Sequence, residues 1–206
     1  RDSNTSVGYS ALSGVVGGSQ NTTVGSSAGL AITSGNNNVA LGHHALLDII
    51  DGNQNIAIGS FALGGALGGT ADGSADNVVI GYSAGSGVSG SSMTIIGKSA
   101  GTVTKTASNS VIIGEDAGRN VTGSNNVIMG FAAMGDGGGS GDGAPNTVAV
   151  GYKSLEVATG GSNVAMGYKT GDSVTTGQGC VIIGADAGQT FDTESYLTAC
   201  LLYTSP

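Results

Sequence analysis

The amino-acid sequence predicts an all-β chain wound as a parallel β-solenoid, on three observations. A glycine recurs every 16 to 22 residues, a three-residue apolar run precedes it, and a small residue follows it three positions later. The composition agrees. The chain has 206 residues with 40 glycines, 2 prolines, no tryptophan and 10% charged residues, which suits neither a helical bundle nor a charged disordered tail. Hydrophobic residues reach 39%, enough for a long thin core to which each coil adds a little.

The recurring glycines are Gly8, Gly25, Gly42, Gly59, Gly81, Gly97, Gly114, Gly130, Gly151, Gly167 and Gly184. A fixed short period is the mark of a solenoid, so about eleven coils are expected, each with room for two brief strands and their turns. The runs before these glycines, such as Val39-Ala40-Leu41, Val111-Ile112-Ile113 and Val181-Ile182-Ile183, are β-branched or aliphatic and read as strands. The residue three places after the glycine is Ala in most coils, including Ala28, Ala45, Ala100 and Ala187, with Ser154 and Thr170 in two others. A small inward side chain there lets the chain turn a tight corner over its neighbour.

Asparagine recurs four residues before the glycine at Asn4, Asn21, Asn38, Asn55, Asn77, Asn126 and Asn163, and one position earlier at Asn37, Asn109, Asn125 and Asn146. Asparagine tolerates left-handed backbone angles and its amide can pair with identical amides in the coils above and below, so a turn carrying a stacked ladder is expected. Along each strand the first and third residues face one way and the middle residue the other. The first and third are apolar nearly throughout, and the middle column (Ala40, Ala57, Val79, Ile95, Ile112, Ile128, Ala149, Ala165, Ile182) carries no charge. Two apolar faces imply that something covers the second one. Self-association is the expectation, with a thicker coil covering its own second face as the alternative.

A net charge of -8 argues against nucleic acid as a partner, because clustered Lys and Arg are needed on phosphate backbones. No apolar run reaches membrane-spanning length, so no membrane insertion is expected in this segment. Two cysteines, Cys180 and Cys200, are too few for a disulfide framework, and no cofactor is expected. Residues 3–199 read as one solenoid domain, part of a longer array. The next glycine is due at position 200 after a strand Leu197-Thr198-Ala199, but Cys200 stands there. Residues 200–206 read as the translation of a sequencing-library adapter, of which Arg1-Asp2 is a second remnant.

The two residues after each glycine vary most and are expected to point outward at one corner. Tyr9, His43, His44, Phe61, Tyr82, Lys98, Phe131, Tyr152, Lys153, Tyr168 and Lys169 all fall there. Rings offer flat apolar area and lysines offer donors, so this column is the candidate ligand-binding surface. Its alternative role is to shield the corner or pack on a neighbouring subunit. The long intervals place two glycine-rich insertions, Gly64 to Asp76 and Gly135 to Pro145, at one point of the coil, so that both project from one edge. Asp72, Asp76, Asp136 and Asp142 are their candidate contacts. Neighbours His43 and His44 are expected to point apart, and with no other histidine in the chain no metal site is assigned.

Strand, glycine, two variable residues, alanine and an Asn turn together resemble the head repeats of trimeric autotransporter adhesins and similar arrays in bacteriophage tail fibres. Asn37-Asn38-Val39-Ala40-Leu41-Gly42, Asn55-Ile56-Ala57-Ile58-Gly59 and Ser162-Asn163-Val164-Ala165-Met166-Gly167 carry the likeness, although the coils here are longer than that family's. The resemblance implies a left-handed β-roll or β-helix assembled as a homotrimer, extracellular on a bacterial surface or a virion tail fibre. Its implied work is attachment to a host cell or surface through a glycan or protein receptor, with no catalytic residues. One competing reading is enzymatic. Ile113-Gly114-Glu115-Asp116-Ala117 resembles a unit of the hexapeptide repeat of left-handed β-helix acyltransferases, in which His43 or His44 would serve as general base. The other is an ice-binding solenoid, for which the variable corner offers no flat threonine array.

Overall fold

Each coil contributes a single strand of three residues, and twelve such strands lie side by side in chain order in one parallel sheet. They are β1 Thr5–Val7, β2 Thr22–Val24, β3 Val39–Leu41, β4 Ile56–Ile58, β5 Val78–Ile80, β6 Thr94–Ile96, β7 Val111–Ile113, β8 Val127–Met129, β9 Val148–Val150, β10 Val164–Met166, β11 Val181–Ile183 and β12 Thr198–Cys200. The computed structural model describes residues 3–64, 74–102, 107–135 and 143–200. Among these there is no helix. The β-solenoid is therefore as the sequence predicts, with a parallel sheet in unbroken register: Val39 pairs with Ile56, Ile56 with Val78 and Val78 with Thr94. At about 4.8 Å per strand the stack is on the order of 50 Å long.

Two details differ from expectation. Only one strand forms per coil, because the remaining sides are built from residues with left-handed backbone angles. The second residue after every repeat glycine is one of them, from Ser10 (φ 53°) and Ser27 (φ 54°) to Lys169 (φ 47°) and Asp186 (φ 57°). The fourth is another, as Leu12, Leu46, Leu63, Met134 and Leu155 or as Gly29, Gly85, Gly101, Gly118, Gly171 and Gly188. These turns leave too few extended residues for a second strand. The last coil also steps by 17 residues rather than 16. Cys200 pairs with Ile183, so the strand is Thr198–Cys200 and Cys200 is its third residue. Residues 201–206 and 1–2, expected to be adapter remnants, lie outside the described residues.

The repeat glycines hold φ between 121° and 142°. Their backbones also approach the next coil closely: a Cβ on Gly97 would stand 2.5 Å from the Gly114 carbonyl oxygen, and one on Gly81 2.5 Å from that of Gly97. Angle and space both demand glycine here.

Inside, the middle strand residue meets the fourth residue after the glycine, and their sizes compensate. Ala40, Ala57 and Ala149 are followed by Leu46, Leu63 and Leu155, whereas Val79, Ile95, Ile112 and Ile182 are followed by Gly85, Gly101, Gly118 and Gly188. A Cβ on Gly101 would lie 3.0 Å from Ile95 Cδ1, and one on Gly118 3.0 Å from Ile112 Cδ1. One large and one small side chain fill the same layer. Ala165 and Gly171 are both small, and methyl groups of Leu155 and Ile182 reach the gap from neighbouring coils. Ile128 meets the buried, unbranched Met134. The corner alanines Ala28, Ala45, Ala62, Ala84, Ala100, Ala117, Ala133 and Ala187 are buried beside them.

The asparagine column forms the expected ladder. Asn38 Nδ2 donates to Asn21 Oδ1 at 3.0 Å and to the Gly52 carbonyl at 2.8 Å, while Asn38 Oδ1 accepts from the Asn55 backbone N–H at 2.9 Å. Asn55 and Asn77 repeat the pattern. Asn21, Asn38, Asn55, Asn77 and Asn163 are fully buried, so these bonds satisfy groups that water cannot reach. The two properties ascribed to asparagine are divided between columns. The ladder belongs to the position four before the glycine, and the left-handed turn to the position before it, at Asn37, Asn109, Asn125 and Asn146. A second ladder runs the opposite way along the outer rim: Asn36 and Asn53, then Ser91, Ser108 and Ser124, accept from backbone N–H groups one coil earlier.

A Gly97→Ala substitution forces a left-handed φ on an L-residue and drives a Cβ into the Gly114 carbonyl. It is expected to cost on the order of 3 kcal/mol in urea unfolding, more than Ser99→Ala two residues on.

Candidate functional site at the aromatic corner

The corner column forms because the anchor glycine ends the strand and the next two residues turn away from the core. The first points to solvent, as Tyr82, Lys98, Phe131, Tyr152 and Tyr168 do, and the second, left-handed residue is half-buried behind it at His44, Phe61, Lys153 and Lys169. The backbone N–H of each second residue donates to the carbonyl of the first in the preceding coil, as from Phe61 to His43 at 2.9 Å and from Lys169 to Tyr152 at 2.8 Å. Side chains at equivalent positions therefore stand directly above one another.

The structure divides the predicted column into two ring groups. In the first, Phe61 meets the edges of His43 and His44 at centroid distances of 5.3 and 5.1 Å, and Tyr82 follows at 6.3 Å. In the second, Phe131, Tyr152 and Tyr168 lie nearly parallel, 5.4 and 5.1 Å apart with interplanar angles of 11° and 10°. Between them stands an ion pair, Lys98 Nζ to Glu115 Oε1 at 2.7 Å. The Glu115 carboxylate, as hydrogen-bond acceptor and opposite charge, raises Lys98 above the ordinary ammonium range. Tyr9 stands apart at the other end of the rod, with Ser26 as its neighbour one coil on.

The lysines differ in what they can offer. Lys153 Nζ donates to Glu156 Oε1 at 2.7 Å, and Lys98 is held by Glu115, whereas Lys169 Nζ lies 5.8 Å from the centroid of the Tyr168 ring. Glu156 is not among the residues the sequence points to, and Glu115 enters there only within the hexapeptide-like unit, not as a partner of Lys98. Glu115 occupies the position of Lys98 in the next coil, so the repeat alignment itself contains that signal.

His43 and His44 do not point apart. Their rings stack at 3.8 Å with an interplanar angle of 22°. The left-handed φ of 57° at His44 cancels the alternation that separates neighbours on a strand. His44 Nδ1 and Asp48 Oδ2 are buried without hydrogen-bond partners. Burial raises the Asp48 carboxyl above its ordinary range, and the His44 charge pulls it partly back. Among the described residues no three of His, Cys, Asp and Glu converge to hold a metal ion.

Of the candidate loop residues, Asp76 sits in the turn before β5. Its φ is 59° and its N–H donates to the Asn53 carbonyl at 3.0 Å, so it does for that coil what Asn109 does in another. Asp72, Asp136 and Asp142 lie outside the described residues. Residues 65–73 and 136–142 of the two insertions lie outside the described residues, which stop before them at Gly64 and Gly135, each five residues past its repeat glycine.

Asp48 carries the pH-dependent term. Its folded-state pKa is raised, so its contribution to stability is present below the ordinary carboxyl value of 3.8 and is lost as the pH rises through the folded value. Asp48→Asn is accordingly expected to raise the melting temperature at pH 7 and to give no gain at pH 3, as read by circular dichroism.

Compared with family models, curated protein sequences and solved structures, the chain matches none, so its function is argued from its own surface.

Proposed function

We propose that this chain is a segment of an extracellular attachment shaft, of the kind found in surface adhesins and viral tail fibres, and that it works as a homotrimeric rod. The observation that carries the reading is the outward face of the sheet. The middle residue of each inner strand is buried, while the first and third turn outward and are apolar except at Thr22 and Thr94: Leu41 is 45% exposed, Met166 44% and Ile183 42%. Val39, Ile56, Ile96, Val127, Met129 and Val181 extend the same face along the stack. A contiguous apolar surface of this extent favours burial against another surface. Every copy presents the same columns at the same period, so copies aligned in parallel bury them in register. This supports self-association over a coil that covers its own second face, because the outward columns are exposed within one chain.

The rigid stack then displays the corner column many times over, and weak contacts add through effective concentration. Neither a nucleic-acid partner nor membrane insertion belongs to this reading. No helix among the described residues is long and apolar enough to cross a membrane.

Light scattering on the full chain is expected to give three times the chain mass. A Met129→Lys, Met166→Lys double variant is expected to give one chain mass with an unchanged circular dichroism spectrum, and at least a hundredfold weaker binding of labelled protein to whole cells than the parent. A parent that is monomeric at all concentrations overturns the assembly. Equal cell binding by parent and monomeric variant overturns multivalent attachment.

A further inference from the structure

The second ring group ends in a way the first does not. Phe131 and Tyr168 flank Tyr152, so both faces of Tyr152 are occupied, but the coil after Tyr168 carries Ala185 at the equivalent position. Alanine is too short to cover a ring. Tyr168 remains 50% exposed, with Ala185 exposed beside it, and the corner has a step one coil deep whose wall is a flat aromatic face. That wall is rigid, since Tyr152 backs it at 5.1 Å and the Asp186 N–H donates to the Tyr168 carbonyl at 2.8 Å.

Three polar groups surround the step. Lys169 Nζ lies over the Tyr168 ring, 5.8 Å from its centroid, is held by no carboxylate among the described residues, and offers three donors to a ligand at that ring. Asp186 occupies the position of Lys169 in the next coil, and its Oδ1 accepts from Gln189 Nε2 at 2.9 Å. That bond holds the carboxylate, and both residues are exposed. An aromatic wall with an ammonium donor at the ring and a carboxylate and an amide in the next coil suits a ligand with one flat C–H face and a rim of hydroxyls.

The charges narrow the class. A free anion would meet the Asp186 carboxylate, and a cation would meet Lys169 against the same ring. A neutral polyol pairs with both, donating to the carboxylate and accepting from the ammonium. We propose that Tyr168, Lys169, Ala185, Asp186 and Gln189 form a binding step for a neutral hexopyranose unit. The proposal rests on the attachment reading and gives its receptor a chemical class. Tyr82 and Tyr9 lack this combination: beyond Tyr82 stands Lys98 in its pair with Glu115, and Tyr9 is followed one coil on by Ser26 and Ser27.

The test titrates the full chain with the methyl glycosides of glucose, galactose and mannose, following saturation-transfer and tyrosine ring resonances by NMR. Saturable binding of at least one, with Kd on the order of 1 mM for a single unit, is expected. Ala185→Tyr extends the ring stack over the step and is expected to abolish that binding with melting temperature and oligomeric mass unchanged. Tyr168→Ala is expected to do the same, and Tyr82→Ala to leave binding intact. Saturation by none of the three glycosides, or binding that survives Ala185→Tyr, overturns the proposal. Cell attachment measured in parallel separates the two readings. Attachment retained without glycoside binding removes this step alone, whereas glycoside binding lost on Ala185→Tyr in a protein that attaches to no cell supports the step and removes the attachment reading.

Discussion

The whole stack depends on how closely one coil's backbone can approach the next at the repeat glycine. There the chain leaves a three-residue strand, takes a φ near 137° and passes within contact of the carbonyl one coil on, as Gly97 passes that of Gly114. No side chain fits in that gap, and no other residue takes that angle without strain. Because the contact recurs in each coil, register is fixed locally at every step. Val39, Ile56, Val78 and Thr94 therefore pair in sequence without slippage.

Fixed register turns sequence position into spatial columns, and each column has its own chemistry. In most coils the inner columns trade size, Leu46 over Ala40 in one and Gly101 over Ile95 in another, so that one large and one small side chain share a layer. The buried asparagines satisfy one another and the carbonyls of Gly35, Gly52 and Gly90. The corner rings stack because their backbones already do. The attachment shaft is proposed from the outward apolar columns of the sheet, and the saccharide step from the place where the ring column stops, at Ala185.

A solenoid with so little charge inside has few places where polar groups go unsatisfied, and His44 with Asp48 marks one of them. Asp48 follows His44 by four residues, within reach of its charge. Gly64 of the next coil lies close by, a Cβ there standing 3.0 Å from the His44 carbonyl oxygen. Little in the repeat pattern singles out Asp48: counted from the repeat glycine, Asp136 is the one other acid at the equivalent position, and it lies outside the described residues.

The sequence by itself determined the solenoid, its parallel register, the inward and outward columns, the asparagine ladder and the corner where Tyr152 and Tyr168 meet. All of these follow from a period, and a period is a one-dimensional property. What depends on backbone sign or on pairs in different coils was decided only by the tertiary structure. Left-handed residues such as His44 and Leu46 reduced two expected strands to one and brought His43 and His44 together, since alternation holds only for extended chain. The end of the array moved by one residue, because Cys200 pairs with Ile183 through backbone atoms that any side chain can carry. Which lysines are engaged, Lys98 by Glu115 and Lys153 by Glu156 but Lys169 by a ring, was likewise settled by distances between coils, and a column read along the chain does not contain them.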